Sequence, residues 1–428
     1  MSEWKLRDCC LSISDGDHLP PPKTNKGIPF ITISNIDSTN HIDFTDTLFV
    51  PIEYYDKLDP IRKAQKNDII YSVVGSFGKP VLIKENKEFV FQRHIAILRP
   101  NIDIVDPCFL YYIMLSRDFY MQADTVAIGA AQRTISLSSL RNMKVELPGL
   151  STQHRIATIL SRYDTLIENY QKQIMLLEEA AQRLYKEWFV DLRFPGHEDV
   201  KMVDGLSEGW ERKKVKEIVD LQNGYAFKST TFEDEGKYKV VTIKNVKDGV
   251  FDGDNVSYIK TIPEKMPSHC VLQIGDILLS LTGNVGRVCM VVGKDYLLNQ
   301  RVAKLKSDYP AFVYCLFRNY DMFVAINNLA NGAAQQNVSP IRIGELMIMV
   351  ASEKTMMRFE RMVGKIITKI LNLHSQIRHL TEARDRLLPK LMGGEMEVDA
   401  PKGQRATSIE QRSGHNEQTT NAPKGQKH

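Results

Sequence analysis

Between residues 153 and 189, apolar side chains recur at alternating steps of three and four: Leu160, Tyr163, Ile167, Tyr170, Ile174, Leu177, Ala181, Leu184 and Trp188. Toward the C-terminus, Val363, Ile366, Ile370, Leu373, Ile377, Leu380, Leu387 and Leu391 repeat the pattern, and Arg384 interrupts it once. Runs of about five heptads predict two long amphipathic helices, each with a narrow apolar seam. Ahead of each helix the periodicity is shorter and strand-like. Ile28–Ile36 and Lys239–Val246 read as strands entering polar, turn-rich segments, while Asp68–Val74 and Asp276–Leu281 read as apolar strands that end at a Gly-x-x-Gly turn. Further strand-length runs fall in Val81–Leu98 and Val288–Leu305, and Pro107–Met121 and Pro310–Ile326 look like helices opened by proline.

These patterns correspond because the chain contains itself twice. Asp68–Lys79 (DIIYSVVGSFGK) recurs 208 positions on as Asp276–Arg287 (DILLSLTGNVGR), and Gln92-Arg93 matches Gln300-Arg301 at the same offset. Gly129-Ala-Ala-Gln132 recurs 203 positions on, at 332–335, and that second offset continues through both helices. A repeat this long exceeds solenoid units of about 20–50 residues, so it is a duplicated domain with its helix. The expected fold is mixed α/β. Modules at 1–150 and 210–351 alternate with helices at 151–191 and 352–394, and 192–209 is a linker. The helices are expected to pair as an antiparallel coiled coil about a pseudo-twofold axis, through a seam of Leu160, Ile167, Ile174, Leu177, Leu184, Val363, Ile370, Ile377, Leu380 and Leu387. The competing arrangement packs each seam on its own module.

Composition adds boundaries. The 428 residues are 43% hydrophobic and 25% charged, as in an ordinary soluble protein, and the net charge of +4 permits nucleic-acid binding without arguing for it. No apolar run approaches the roughly 20 residues that span a bilayer. The N-terminus lacks a signal-peptide core, so the expected location is cytoplasmic. Six cysteines form no C-x-x-C pair, and buried, reduced thiols are expected. The segment 395–428 is polar and carries Ala-Pro-Lys-Gly-Gln twice, at 400–404 and 422–426, so it is expected to be disordered.

A catalytic constellation is missing. Gly75–Lys79 resembles the end of a P-loop, but Val73 stands where the first glycine belongs and Pro80 replaces the hydroxyl residue. Asp68 with Glu85-Asn86-Lys87 loosely fits a metal-dependent nuclease, yet the second copy has Gly-Lys-Asp at 293–295. A binding subunit is the simpler reading.

The ordered, duplicated motifs resemble one known family. The first module opens Asp15-Gly16-Asp17-His18-Leu19-Pro20 and the second Asn223-Gly224-Tyr225-Ala226-Phe227-Lys228. Each carries the Asp-Ile-(Ile/Leu)-x-Ser-x-x-Gly-x-x-Gly turn. The first helix ends in Trp188-Phe189 and Phe194-Pro195-Gly196, the second in Gly393-Gly394. Over residues 4–394 this resembles the specificity subunit of type I restriction–modification enzymes. The resemblance implies that each module is a target-recognition domain for one half of a split double-stranded DNA sequence. It implies helices that space the halves and dock two modification subunits. Those subunits, not this chain, would bind S-adenosylmethionine and methylate adenine, and two restriction subunits using ATP and magnesium can join. No cofactor or metal is expected in this chain.

Phosphate contacts favour Lys, Arg and backbone N–H groups, and base readout favours Arg with guanine and Asn or Gln with adenine. The candidates are His18, Lys23, Lys26, Asn35, Lys79, Arg93, Gln132 and Arg133 in the first module. In the second they are Tyr225, Lys228, Lys244, Asn245, Arg287, Arg301, Gln335, Gln336 and Asn337. Two other readings stay open: a coiled-coil scaffold that binds proteins without a DNA role, and a nuclease using Asp68 and Glu85–Lys87.

Overall fold

The computed structural model describes residues 2–16, 22–37, 40–130, 132–203, 206–253, 256–330 and 337–396. The expectation of a disordered tail therefore falls almost wholly outside the described residues. Within them the two halves repeat one topology. In the first domain Cys10–Asp15, Ile95–Pro100, Ile69–Ser72 and Pro80–Leu82 form a four-stranded antiparallel sheet in that order, and Leu48–Val50, Ile28–Ile31 and Val90–Phe91 form a three-stranded mixed sheet. The second domain has Asp220–Asn223, Val302–Lys306, Ile277–Ser280 and Val288–Met290, then Ser257–Ile259, Tyr238–Val241 and Tyr296–Leu298. Each domain is closed by a short ribbon joining its first strand to the strand before its long helix: Ser2–Lys5 with Lys144–Leu147, and Glu211–Lys214 with Met347–Val350.

The central helix runs Leu150–Tyr185 and continues as a π-helical turn, Lys186–Val190; the distal helix runs Glu353–Met392. At 1.5 Å per residue they are about 54 and 60 Å long. They lie antiparallel: Asp164 in the first half of one meets Arg384 toward the end of the other at 2.7 Å, and Trp188, just past the end of the first, meets Phe359 near the start of the second with ring centroids 5.5 Å apart. Leu160, Ile167, Val363 and Ile370 are buried, whereas Ile174, Leu177, Leu184, Ile377, Leu380 and Leu387 are only partly so. A two-helix seam covers itself from one side, and burial is complete where a domain closes over it. Arg384, which breaks the heptad pattern, is there to meet Asp164.

Each domain packs on the start of the helix that follows it and on the end of the other. The first core holds Ile156, Ala157 and Leu160 together with Leu391. The second holds Phe359, Val363 and Ile370 together with Ala181 and Tyr185. Exchanging the halves maps this arrangement onto itself, which is the pseudo-twofold relation. The competing picture, in which each seam serves only its own module, is thereby corrected. The helices opened by Pro107 and Pro310 are fastened at their first turns by different means. Asp106 caps Phe109 N (2.8 Å) while its own N–H donates to the buried Gln153; Glu360 of the distal helix accepts from Ala311 N and Phe312 N (3.0 and 2.7 Å).

Polar fastening falls on one face of the central helix. Asp164 accepts from Tyr112 (2.5 Å); Glu168 meets His41 (3.0 Å) and Lys84; Glu178 accepts from Tyr314 (2.8 Å) and pairs with Arg318. At 100° per residue these three acids share a sector about 80° wide, and Asp164 and Glu178 are about 21 Å apart along the axis. The first domain is thus held by two of them and the second by the third.

Two outcomes follow for these junctions. Glu178 and Arg318 are each about 15% exposed, so Arg318→Ala leaves a carboxylate buried without its cation. It is expected to lower stability by about 3 kcal/mol, read from chemical denaturation. His41 has its pKa raised by its hydrogen bond to Glu168, against the effect of burial, and the same contact holds Glu168 down to about 2. A raised folded-state value means that the stabilisation is complete below the ordinary histidine pKa of about 6.5 and is lost as pH rises through the folded value. The melting temperature should therefore fall between about pH 6 and pH 8 more steeply in the parent than in His41→Gln.

Candidate nucleic-acid interface

Strand direction decides where the polar turns gather. Ile28–Ile31 and Val90–Phe91 are parallel neighbours, Ile31 opposite Phe91, so both strands release their chains at one edge. There Gln92 N donates to Ile31 O (3.1 Å). Ile69–Ser72 is antiparallel to Ile95–Pro100, Ser72 opposite Ile95, which brings its end to the same edge, where Val73 N donates to His94 O (2.9 Å). Gly75 N donates to Arg133 O and Ile135 N to Val73 O, adding Gln132 and Arg133 to this edge. Gly16 N donates to Ile95 O, and a Cβ on Gly16 would lie 2.2 Å from the Phe91 carbonyl oxygen; only glycine lets the segment carrying Lys23 and Lys26 start this close. Distant parts of the sequence thus share one rim.

The second domain builds the same rim. Val241 lies opposite Leu298 and Ser280 opposite Val302. Asn299 N donates to Val241 O (3.2 Å), Leu281 N to Arg301 O (3.0 Å) and Val338 N to Leu281 O (2.9 Å). A Cβ on Gly224 would lie 2.1 Å from Asn299 O.

The Gly-x-x-Gly turns are near copies. Gly75, Gly78, Gly283 and Gly286 all have φ between +70° and +92°. Ser72 Oγ donates to Ser76 O (3.0 Å) and accepts from Lys79 N (2.9 Å); Ser280 Oγ bonds to Asn284 O and accepts from Arg287 N (3.0 Å). Lys79 and Arg287 therefore leave the rim at equivalent points, Lys79 half-buried and Arg287 exposed. Around them the domains differ. Phe77 stacks on Tyr120 at 5.8 Å and carries the Arg133 guanidinium at 5.4 Å, which Asp124 neutralises. Arg287 lies over Phe323 at 5.0 Å.

A second shared device corrects two expected DNA contacts. Asn35 Oδ1 accepts from Thr32 N and Thr32 Oγ1 (both 2.9 Å), and its amide donates to Asp46 O (3.0 Å). Asn245, fully buried, accepts from Thr242 N and Oγ1 (2.7 and 3.1 Å) and donates to Asp252 O (2.8 Å). In each, the carbonyl oxygen is filled and an amide proton is used in capping a one-turn helix, so neither can make the two-bond contact that reads adenine.

The Gln-Arg match is also corrected. Strand pairing sets Gln92 equivalent to Asn299, Arg93 to Gln300 and His94 to Arg301. Between the equivalent positions Ile83 and Val291, and Phe89 and Tyr296, the first domain has five residues at 84–88 and the second four at 292–295, which shifts the identical letters one place out of register. Asp68 is 2% exposed, with its carboxylate bonded to Arg99 and Gln65 N, so it serves the core and the nuclease reading loses its first ligand.

Among the other candidates, Lys23, Lys26, Arg93, Gln132, Lys228, Lys244, Arg301 and Asn337 are exposed, while Tyr225 is half-buried with its ring against Phe227. Asn337 Oδ1 accepts from Thr282 Oγ1 (3.0 Å). His18, Gln335 and Gln336 lie outside the described residues. Sequence reasoning named Lys244 but passed over Ser34, its counterpart, although Thr-Ile-x-Asn at 32–35 and 242–245 carried the signal. It also passed over the acids Asp164, Glu168 and Glu178. Among the described residues no cluster of potential metal ligands occurs, and no helix is long and apolar enough to cross a membrane.

Known proteins share this organisation. The sequence model described as the type I restriction modification DNA specificity domain matches residues 12–179 and again 207–386. The chain is similar to the MjaIX type I restriction enzyme specificity subunit of Methanocaldococcus jannaschii, with 25% identity over 305 residues, covering 68% of this chain and 69% of that one. It is similar to the HindI specificity subunit of Haemophilus influenzae at 24% identity over a 473-residue alignment, covering 92% and 100%. A crystal structure of the type I restriction–modification S subunit from M. genitalium shares its fold, with a TM-score of 0.55 over 91% of this chain and 95% of that one at 19% identity.

Asn245→Ala should separate holding from reading. It strands two donors of the half-buried Thr242 and is expected to cost about 1–3 kcal/mol, whereas Lys244→Ala should leave the calorimetric melting temperature unchanged.

Proposed function

The chain belongs to the type I restriction–modification DNA specificity family, and on that premise we propose that it is the non-catalytic subunit that reads a bipartite DNA sequence. One rim of polar turns is built twice, on two domains fastened to opposite ends of one helix pair, and this is the observation that carries the reading. Each rim addresses one half-sequence. The helix pair sets the unread spacer, with half-site centres about 10 base pairs apart, one turn of the duplex. Two modification subunits dock on the outer faces of the helices and bring S-adenosylmethionine and adenine methylation. Restriction subunits, with ATP and magnesium, join that complex where they exist. The chain itself supplies geometry and needs no cofactor. It works in the cytoplasm.

The duplication also divides labour within each rim. A device present in both domains serves a task common to both halves, and the DNA backbone is what two different half-sequences share. The Gly-x-x-Gly turn, with Lys79 or Arg287 at its exit, suits phosphate contact. Sequence reading then belongs to side chains that differ on the shared frame.

Replacing residues 4–150 with the corresponding region of a relative, and expressing the hybrid with the modification subunit, tests the reading by methylome sequencing. One half of the methylated sequence should change while the other persists. Concerted change of both halves, or a methylated sequence that is not split, would overturn it.

A further inference from the structure

The capped turns each leave one side chain to solvent, Ser34 in the first domain and Lys244 in the second, and both are exposed. Their frames match: the threonine two places before and the asparagine one place after are locked to one another by the same two hydrogen bonds, and the asparagine amide donates to a backbone carbonyl, Asp46 O or Asp252 O. The turn sits inside the rim. It follows the strand released beside the Gln92 or Asn299 turn, and in the second domain a Cβ on Gly283 would come within 3.2 Å of Ile243. Here, then, is a variable residue held on a constant and rigid support.

The protons around Ser34 can be assigned. Thr32 Oγ1 has one proton, and its 2.9 Å bond to Asn35 Oδ1 uses it, because a carbonyl oxygen cannot donate. The 2.7 Å contact between the Thr32 and Ser34 hydroxyls therefore uses the proton of Ser34. What Ser34 offers outward is lone pairs. Lys244 is the reverse, three donors and no acceptor, and it forms no ion pair among the described residues.

We propose that Ser34 and Lys244 are specificity-determining residues, each for one position of its own half-site. Ser34 accepts from an exocyclic amino group, adenine N6 or cytosine N4. Lys244 donates to the O6 and N7 edge of guanine. The major groove presents these groups outward, and lysine with guanine is among its recurrent pairings. This assignment rests on the reading that the two rims face DNA.

The test uses the full chain assembled with its modification subunits, and measures methylation of every single-base variant of the wild-type target. Ser34→Lys should change the preferred base at one position of one half-site, and Lys244→Ser at one position of the other, each by about tenfold or more. The opposite half and the melting temperature stay as in the parent. Ser34→Ala, the gentler variant, should relax that position without a new preference. Unchanged base preferences in all three variants would overturn the assignment, and so would a uniform loss over all sequences, which marks phosphate contact. If the wild-type complex itself shows no bipartite preference, the underlying reading fails. Bipartite methylation by the parent with unaltered variants removes this assignment alone.

Discussion

The antiparallel packing of two long helices is the constraint on which the molecule depends. Neither seam is wide enough to bury itself, and neither domain has a complete core without a helix end from the other half. The second core is sealed by aromatic rings from four places: Phe189 lies 4.8 Å from Phe312, 4.9 Å from Phe359 and 5.7 Å from Trp210. Leu387, Leu388 and Leu391 of the distal helix play the corresponding part in the first. Domain stability and domain position are therefore one problem, since whatever loosens the helix pair also uncovers both cores.

Polar groups supply what apolar packing leaves undecided. Leucine and isoleucine seams tolerate sliding and rotation, whereas a buried carboxylate tolerates little. Asp164 meets both Tyr112 and Arg384, so it ties the first domain and the distal helix to one point of the central helix. Glu178 ties the second domain to another point of that helix through Tyr314 and Arg318. Burial raises the pKa of Glu178 while Arg318 opposes the rise, which is the balance expected of a desolvated but paired acid. Two fixed points on a single rigid helix give the domains a defined separation.

The rims show the same economy at smaller scale. Glycines with positive φ, a serine that bridges its own turn and an asparagine that caps a single helical turn hold the backbone in each domain. Because these devices are local, they survive divergence of the residues they carry. Tyr120 and Phe77 surround one turn and Phe323 the other, yet both turns keep their shape. A duplicated reader can thus change what it reads without rebuilding how it stands.

The sequence by itself carried the duplication, the mixed α/β class and the two seams, because periodicity and local turn chemistry are written in consecutive residues. The Gly-x-x-Gly turns were legible for that reason. What it could not carry were relations between distant residues. Arg384 interrupts a heptad in the sequence and pairs with Asp164 in the fold, and Asp68, a possible ligand by residue type, is paired with Arg99. Asn35 and Asn245 have the right chemistry to read adenine, but their carbonyl oxygens are already filled by threonine and an amide proton of each by a backbone carbonyl. The identical Gln-Arg letters are one place out of register because the connection before them is one residue shorter in the second domain, and only strand pairing shows which positions are equivalent. Residue type set what each side chain could do; tertiary structure decided which of its hydrogen bonds were already made.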